Sequence, residues 1–251
     1  MADFTSRFGA QAAEYRSFRP VWPAEVLRRI IERVPAPRRR AIDLGAGTGL
    51  VASRLVEDFD EVIAVEPDER MLAQLDPGPE RVHARAEDAD FARGSADLVT
   101  AGNAFHWMEG AAVCARVRAW LRPGGTFAVF RYDPPHAAEG PLRDLLAEEY
   151  GVRWREHVHP RLGDPGYTRR TLAESSFGER LEASWIPNDL ALSLPELIGF
   201  CRSTSYGGGY ARSLGAPEGY WRELEQRIRD RAGPGPFRLD FSVELLLSAK
   251  D

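Results

Sequence analysis

The run Arg40-Ala41-Ile42-Asp43-Leu44-Gly45-Ala46-Gly47-Thr48-Gly49 decides the fold. Its first half reads as a short β-strand, Arg40 to Leu44. Leu50 to Asp58 then has the pattern of a helix. The glycines between them permit a tight turn and let a ligand approach the backbone closely. The helix start adds unpaired N–H donors at the same place. A strand, a glycine turn and a helix in that order predict a ligand site at the end of a parallel strand. A nucleotide-like ligand there needs an acidic partner for its ribose hydroxyls at the end of the next strand. Glu66 stands at that position, 17 residues after Gly49 and directly after the apolar run Val62-Ile63-Ala64-Val65. Its plainer reading is a cap for the helix that follows.

Outward from the turn, strands and helices alternate. Strands are predicted at Glu61–Val65, Arg81–Ala84, Ala96–Ala101 and Thr126–Arg131. Helices are predicted from Asp68, a good N-cap, to Leu75 and over Gly110–Leu121, the latter stopped by Pro123-Gly124-Gly125. Such alternation predicts an α/β fold with a mostly parallel sheet and helices on both faces. Upstream, Val26, Leu27, Ile30, Ile31 and Val34 recur at helical spacing after Pro23. Downstream, helices are expected over Leu142–Tyr150, Leu194–Cys201 and Pro217–Arg231, and strands over Phe177–Ile186 and Phe237–Ala249. Val152 to Tyr167 shows no clear period. Tyr206-Gly207-Gly208-Gly209-Tyr210 reads as a flexible loop. The expected organisation is one domain over residues 1–251. Its core is residues 35–132 completed by 237–251, with an N-terminal lid over 1–34 and a cap over 133–235.

Composition narrows the function classes. The 251 residues are 43% hydrophobic and carry a formal net charge of −5, so the whole chain offers no electrostatic support for a nucleic-acid partner. No apolar run approaches the ~20 residues of a bilayer span. The N-terminus lacks the apolar stretch of a signal peptide. Cys114 and Cys201 have no partner at metal-ligand spacing and read as reduced core thiols. His157-Val158-His159 has no further ligand spacing to make it a metal site. A cytoplasmic protein without a metal is expected. Its basic residues are arginines save Lys250, a bias that points to a bacterial source.

The glycine run resembles motif I of class I S-adenosylmethionine (SAM)-dependent methyltransferases, which place an acidic residue two positions before the first glycine. Here that residue is Asp43. NAD-binding proteins usually show G-x-G-x-x-G, which this run does not match. Val65-Glu66-Pro67-Asp68 followed by Met71-Leu72 is similar to the family's second cofactor segment, and Arg85-Ala86-Glu87-Asp88-Ala89 to its third. Leu121-Arg122-Pro123-Gly124-Gly125 resembles the turn before the family's fifth strand. These segments fall in family order over Arg40–Arg131. Two more resemble the trans-aconitate methyltransferase-like (methyltransferase type 11) group of small-molecule enzymes. They are Tyr15-Arg16-Ser17-Phe18-Arg19-Pro20-Val21-Trp22-Pro23, interrupted at Ser17-Phe18, and Asn103-Ala104-Phe105-His106-Trp107-Met108. Little matches past Tyr132.

The resemblance implies a Rossmann-like seven-stranded sheet and methyl transfer from SAM to a small molecule, leaving S-adenosylhomocysteine. Oxygen, as carboxylate or hydroxyl, is the first acceptor expected, then nitrogen or carbon. It implies that Asp43, Gly45, Ala46, Gly47 and Gly49 hold the methionine end. Glu66 takes the ribose, Pro67, Met71, Ala86 and Glu87 flank adenine, and Asn103 meets the ligand's backbone. Tyr15, Arg19, Trp107, Tyr206 and Tyr210 are the candidate lid and acceptor residues, and Trp22 is a packing residue. His106 is the candidate catalytic base, following a central strand with a pKa suited to a hydroxyl or amine. Its simpler reading is a pocket wall, because a carboxylate acceptor needs no base. A non-catalytic or repurposed SAM-binding protein stays open, as does an NAD-dependent oxidoreductase. A nucleic-acid methyltransferase is disfavoured, since no N-P-P-Y/F motif follows the fourth strand. Oligomeric state is not legible.

Overall fold

β-branched and aliphatic residues crowd the strands that follow the glycine run, and the computed structural model buries them. It describes residues 12–133, 136–137 and 140–251. The first part of the expected lid, and residues 134–135 and 138–139 of the expected cap, lie outside the described residues. The helices are α1 Ala12–Phe18, α2 Ala24–Glu32, α3 Ala52–Leu55, α4 Glu69–Leu72, α5 Gly110–Trp120, α6 Pro141–Glu148, α7 Tyr167–Ala173, α8 Leu194–Ser203, α9 Ser205–Ser213 and α10 Pro217–Ala232. The strands are β1 Arg40–Leu44, β2 Glu61–Glu66, β3 Glu80–His83, β4 Ala96–Gly102, β5 Leu121–Tyr132, β6 His136–Ala137, β7 Glu182–Ile186, β8 Asp189–Leu192, β9 Phe237–Asp240 and β10 Val243–Ala249.

Seven strands form one sheet in the order β3-β2-β1-β4-β5-β10-β7. β1 to β5 pair in parallel, and β10 is antiparallel to both of its neighbours. This is the expected mostly parallel Rossmann-like sheet. Ile42, Leu44, Ile63, Val65, Val99, Phe127 and Val129 join one face of it to Phe105, Trp120, Leu172 and Phe177 in a single apolar cluster. Each such large side chain contributes ~1.5–3 kcal/mol through burial.

Leu121-Arg122-Pro123-Gly124-Gly125 is both strand and turn. Ala96 pairs with Leu121 but Leu98 pairs with Thr126, so Arg122–Gly125 is looped out of the ladder. The Gly124 N–H donates to the Lys250 carbonyl at 2.8 Å, and the Lys250 N–H donates to the Gly125 carbonyl at 2.8 Å. Gly124 has φ +76°, where a side chain would be strained. Arg122 pairs with the buried Asp97 carboxylate, which also accepts the N–H groups of Arg39 and Arg40 at 2.8 and 2.7 Å.

The chain divides into two compact units. The sheet unit is Val21–Tyr132, Asp164–Ile186 and Val243–Asp251. The other holds the residues up to Pro20, Asp133–Gly163 and Pro187–Ser242. The boundaries therefore differ from the expected core, lid and cap. α2, placed in the expected lid, groups with the sheet unit and buries Val26, Leu27 and Ile30. α7 and β7, expected in the cap, belong there too.

Four further expectations change. Phe237–Ala249 is not one strand. β9 pairs with β8 in a three-stranded sheet with β6, while β10 enters the large sheet. The division follows burial, since β9 alternates buried and exposed residues and β10 is buried almost throughout. Tyr206–Tyr210 is not a loop but lies within α9. The Thr204 hydroxyl caps that helix by accepting the Gly207 N–H at 3.0 Å. A Cβ on Gly207 would stand 2.6 Å from the Cys201 carbonyl, so this glycine serves close packing. The strand expected over Phe177–Ile186 shortens to β7, after a 3-10 turn at Gly178–Arg180. The patternless stretch after Gly151 ends a π-helical turn, Glu149–Arg153, and contains a 3-10 turn, Arg155–His157.

Candidate functional site

The glycine turn joins β1 to α3 in three left-handed steps. Gly45, Gly47 and Gly49 have φ of +64°, +57° and +87°. A Cβ on Gly45 would also stand 2.6 Å from the Ala104 Cβ, so the turn lies directly against the segment after β4. The Ala46 N–H donates to the Val65 carbonyl at 3.0 Å, and the Gly49 N–H to the Ala46 carbonyl at 2.9 Å.

Two buried carboxylates flank this turn. Glu66 is 8% exposed and ends β2. Its Oε2 accepts the Gly47 N–H at 3.0 Å and its Oε1 accepts the Asp68 N–H at 3.0 Å. It thus ties the turn to the start of α4, where Asp68 is the N-cap, as expected. Burial pushes the Glu66 carboxyl up to about 7, against the pull of those two N–H groups. Asp43 is 1% exposed, and its Oδ1 accepts the Thr100 hydroxyl at 2.7 Å. Its Oδ2 is buried with no partner of hydrogen-bonding geometry. Burial pushes Asp43 up to about 7 as well, opposed by Thr100 and the Ala52 N–H. Both carboxyls are thus short of partners that would favour the charged form.

The remaining candidates divide clearly. Met71 and Ala86 are buried, and the Pro67 carbonyl lies 2.9 Å from His83 Nε2. Glu87 is engaged elsewhere than an open ligand edge. Its Oε1 accepts the Glu109 N–H at 2.6 Å, at the start of α5, and its Oε2 lies 3.5 Å from Arg85. Asn103 follows β4 with φ +50°, the one non-glycine residue in the left-handed region among those described. Its N–H donates to the Phe130 carbonyl at 2.8 Å, and its Oδ1 accepts the Tyr132 N–H at 3.2 Å. Strain of this kind gathers at ligand sites. His106 is 4% exposed in a 3-10 turn, Phe105–Trp107, with its ring tilted against Trp107 at 5.1 Å. Trp22 packs edge-on against Phe130 at 4.7 Å, the packing role expected of it.

Tyr15, Arg19, Tyr206 and Tyr210 belong to the other unit and have partners inside it. The Arg19 guanidinium lies over the rings of Tyr15, at 4.7 Å, and Phe200, at 5.3 Å, and donates to the Ser203 carbonyl at 3.2 Å. Tyr206 is buried edge-on to Tyr150 at 5.1 Å. Tyr210 packs on Tyr220 at 5.2 Å. Sequence reasoning missed Glu149, which is fully buried in this unit. It accepts the Tyr220 hydroxyl at 2.6 Å and Arg227 at 2.5 Å, and the Trp154 indole donates to that hydroxyl at 2.7 Å. Glu149 reaches partners 71 and 78 positions away, so no local signal marks the network.

Among the described residues no three His, Cys, Asp or Glu side chains are grouped to hold a metal ion. No described helix is long and apolar enough to cross a membrane.

The family model for the methyltransferase domain matches residues 42–129, from β1 into β5. An uncharacterised methyltransferase of Mycobacterium tuberculosis is 36% identical over 176 residues, 68% of this chain and 66% of that protein. The chain therefore spans just under two thirds of that relative's length. A candidate type II methyltransferase from Anaeromyxobacter dehalogenans superposes with a TM-score of 0.75 at 27% identity, covering 92% of this chain and 98% of that one. A phosphoethanolamine N-methyltransferase from Haemonchus contortus, solved with S-adenosylhomocysteine, shares the fold alone. Its TM-score is 0.54 at 15% identity, over 100% of this chain and 60% of that one.

Proposed function

From the chain's membership of the class I SAM-dependent methyltransferases, we propose that it transfers a methyl group from SAM to an oxygen, carboxylate or hydroxyl, of a small molecule. The observation that carries this is the pair of buried carboxylates, Asp43 and Glu66, on either side of the glycine turn. The residues fit the ligand. The partnerless Asp43 Oδ2 wants a donor, and the ligand's amino end supplies one. Each Glu66 oxygen accepts one backbone N–H and keeps a lone pair, which suits two ribose hydroxyls. When bound, SAM supplies an electrophilic methyl carbon whose bonding pair stays on sulfur as S-adenosylhomocysteine.

The chain's own part is to bind and to align. Gly45, Ala46, Gly47 and Gly49 hold the methionine end by backbone, Met71 and Ala86 form apolar walls, and Pro67 lies beside them. Asn103, rigid between β4 and β5, borders the reacting end. Alignment of nucleophile and methyl carbon then supplies much of the rate. We assign Glu87 to the α5 start, because its carboxylate is spent on Glu109 and Arg85. His106 and Trp107 form a wall on this reading, with His106 taking the acceptor's proton only where the acceptor is a hydroxyl. The packing of Tyr15, Arg19, Tyr206 and Tyr210 within their own unit leads us to seek acceptor contacts first in the sheet unit. Two buried cysteines outside any disulfide suit a reducing compartment, and we place the protein in a bacterial cytoplasm.

The test is incubation of the protein and methyl-labelled SAM with a fractionated small-molecule extract. Label is expected in an ester or ether. SAM binding without label in any fraction refutes transfer and leaves a binding protein; label in an amine corrects the acceptor atom. His106→Ala is expected to leave the SAM Kd within about twofold and to slow turnover only if the acceptor is a hydroxyl.

A further inference from the structure

Resting on the reading above, we propose that Thr100 is the positioning residue for the ligand's amino end: its hydroxyl holds one oxygen of Asp43 so that the other stays an acceptor for an ammonium group.

Asp43 and Thr100 face each other across the parallel ladder of β1 and β4. Residues opposite one another in a ladder project to the same side of the sheet. The row they share runs Ala64, Asp43, Thr100, Ala128 over β2, β1, β4 and β5. All four are buried. Alanine stands on either flank, so within this row only the threonine can hold the carboxylate. It does so by donating to Oδ1 at 2.7 Å. Oδ2 is buried with no hydrogen-bond partner. The carboxylate is thus divided into one oxygen spent on the sheet and one left for a ligand.

Packing alone does not call for a hydroxyl at this position. Valine has the shape of threonine and suits a buried central strand as well. A hydroxyl buried there is unfavourable unless it is bonded, and its bond goes to Asp43. Threonine is stiff at χ1, so the strand backbone sets the direction of the donor. The carboxylate turns easily about its last torsion, and this bond is what stops it turning.

β2, β4 and α3 pack on β1 and supply the groups that act on Asp43. Burial pushes its carboxyl up to about 7. Thr100 from β4 and the Ala52 N–H from α3 pull it down, and the Glu66 carboxyl from β2 pushes it up. While Thr100 donates to Oδ1, a proton taken up by Asp43 sits on Oδ2 and turns that acceptor into a donor. An ammonium group then meets an O–H and loses its partner. Thr100 favours the ionised form, so it keeps Oδ2 an acceptor to lower pH than burial alone would allow.

Calorimetric titration between pH 6 and 8 tests this with two probes, S-adenosylhomocysteine and methylthioadenosine, which keeps adenine and ribose but lacks the amino-acid end. Ionisation of Glu66 acts on both probes through the ribose, so the ratio of their dissociation constants isolates the amino end. In the wild type the ratio is expected to turn in favour of S-adenosylhomocysteine as pH rises through about 7. The near-isosteric Thr100→Val is expected to weaken S-adenosylhomocysteine about tenfold at pH 7 and to leave methylthioadenosine within about twofold. It should also move the turn of the ratio up by about one pH unit. Thr100→Ser keeps the hydroxyl and is expected to restore the wild-type profile. Thr100→Ala takes the place of Thr100→Val if the valine variant does not fold. An unmoved ratio profile in the hydroxyl-free variant, equal weakening of both probes, or failure of Thr100→Ser to restore the profile overturns the assignment. Binding of neither probe by the wild-type protein would instead sink the cofactor reading on which it rests.

Discussion

Replacing Glu66 by glutamine separates holding the turn from holding the ligand. The carboxylate now accepts one backbone N–H on each oxygen, from Gly47 and from Asp68, both at 3.0 Å. An amide of the same shape has one acceptor, so one of those N–H groups faces an NH2 and is left unsatisfied. Stranding a buried donor costs about 1–3 kcal/mol, and Glu66→Gln is expected to lower stability by that amount in urea unfolding. A second, separate loss falls on the ligand. A ribose hydroxyl that donated to a carboxylate oxygen meets a donor instead, which costs a further ~1–3 kcal/mol, or about 5- to 150-fold in the SAM Kd. Calorimetric titration at pH 8, where Glu66 is ionised, reads the second loss directly, because folded protein is the reactant. A SAM Kd within about twofold of wild type, together with lowered stability, would refute the ribose assignment and leave Glu66 as a clamp between β1 and α4.

The raised pKa of about 7 at Asp43 and at Glu66 sets a pH dependence. Their share of ligand-free stability is complete below the ordinary carboxylate range and is lost as pH rises through about 7. Urea midpoints should therefore fall between pH 5 and 8 in wild type, and fall less in Asp43→Asn. SAM affinity should move the other way, tightening over the same interval as the carboxylates ionise. Gly45→Ala meets both a left-handed φ, worth ~1–2 kcal/mol for an L-residue, and the Ala104 Cβ at 2.6 Å. It should lower the unfolding midpoint and weaken SAM binding; a wild-type midpoint and Kd would show that the turn is not held as described. Glu149→Ala removes the acceptor of Tyr220 and Arg227 and is expected to cost ~3–5 kcal/mol, whereas a loss below ~1 kcal/mol would mean that the network is solvated.

The local signals of this chain were strong where structure depends on neighbours in sequence. The turn at Gly45–Gly49 needs positive φ, and glycine supplies it, so the turn was legible from residues alone. The Asp68 cap and the sheet of β1 to β5 followed from period and punctuation in the same way. The triglycine segment misled because propensity favours a loop, while a threonine cap and close packing on Cys201 make it helix. Phe237–Ala249 misled because its apolar run hides a change of partner at Asp240–Val243, although the shift from alternating to continuous burial was there to be read.

The sequence by itself determined the order of strands and helices, the glycine turn and the acidic residue after β2, since each rests on backbone sterics and short-range patterning. Tertiary structure alone decided that Glu66 ties Gly47 to Asp68, that Glu87 accepts the Glu109 N–H at the α5 start, and that Glu149 gathers Tyr220 and Arg227. Apart from the one between Glu66 and Asp68, those contacts join residues 19 or more positions apart. Burial and strand register create them, and neither leaves a local trace in the chain.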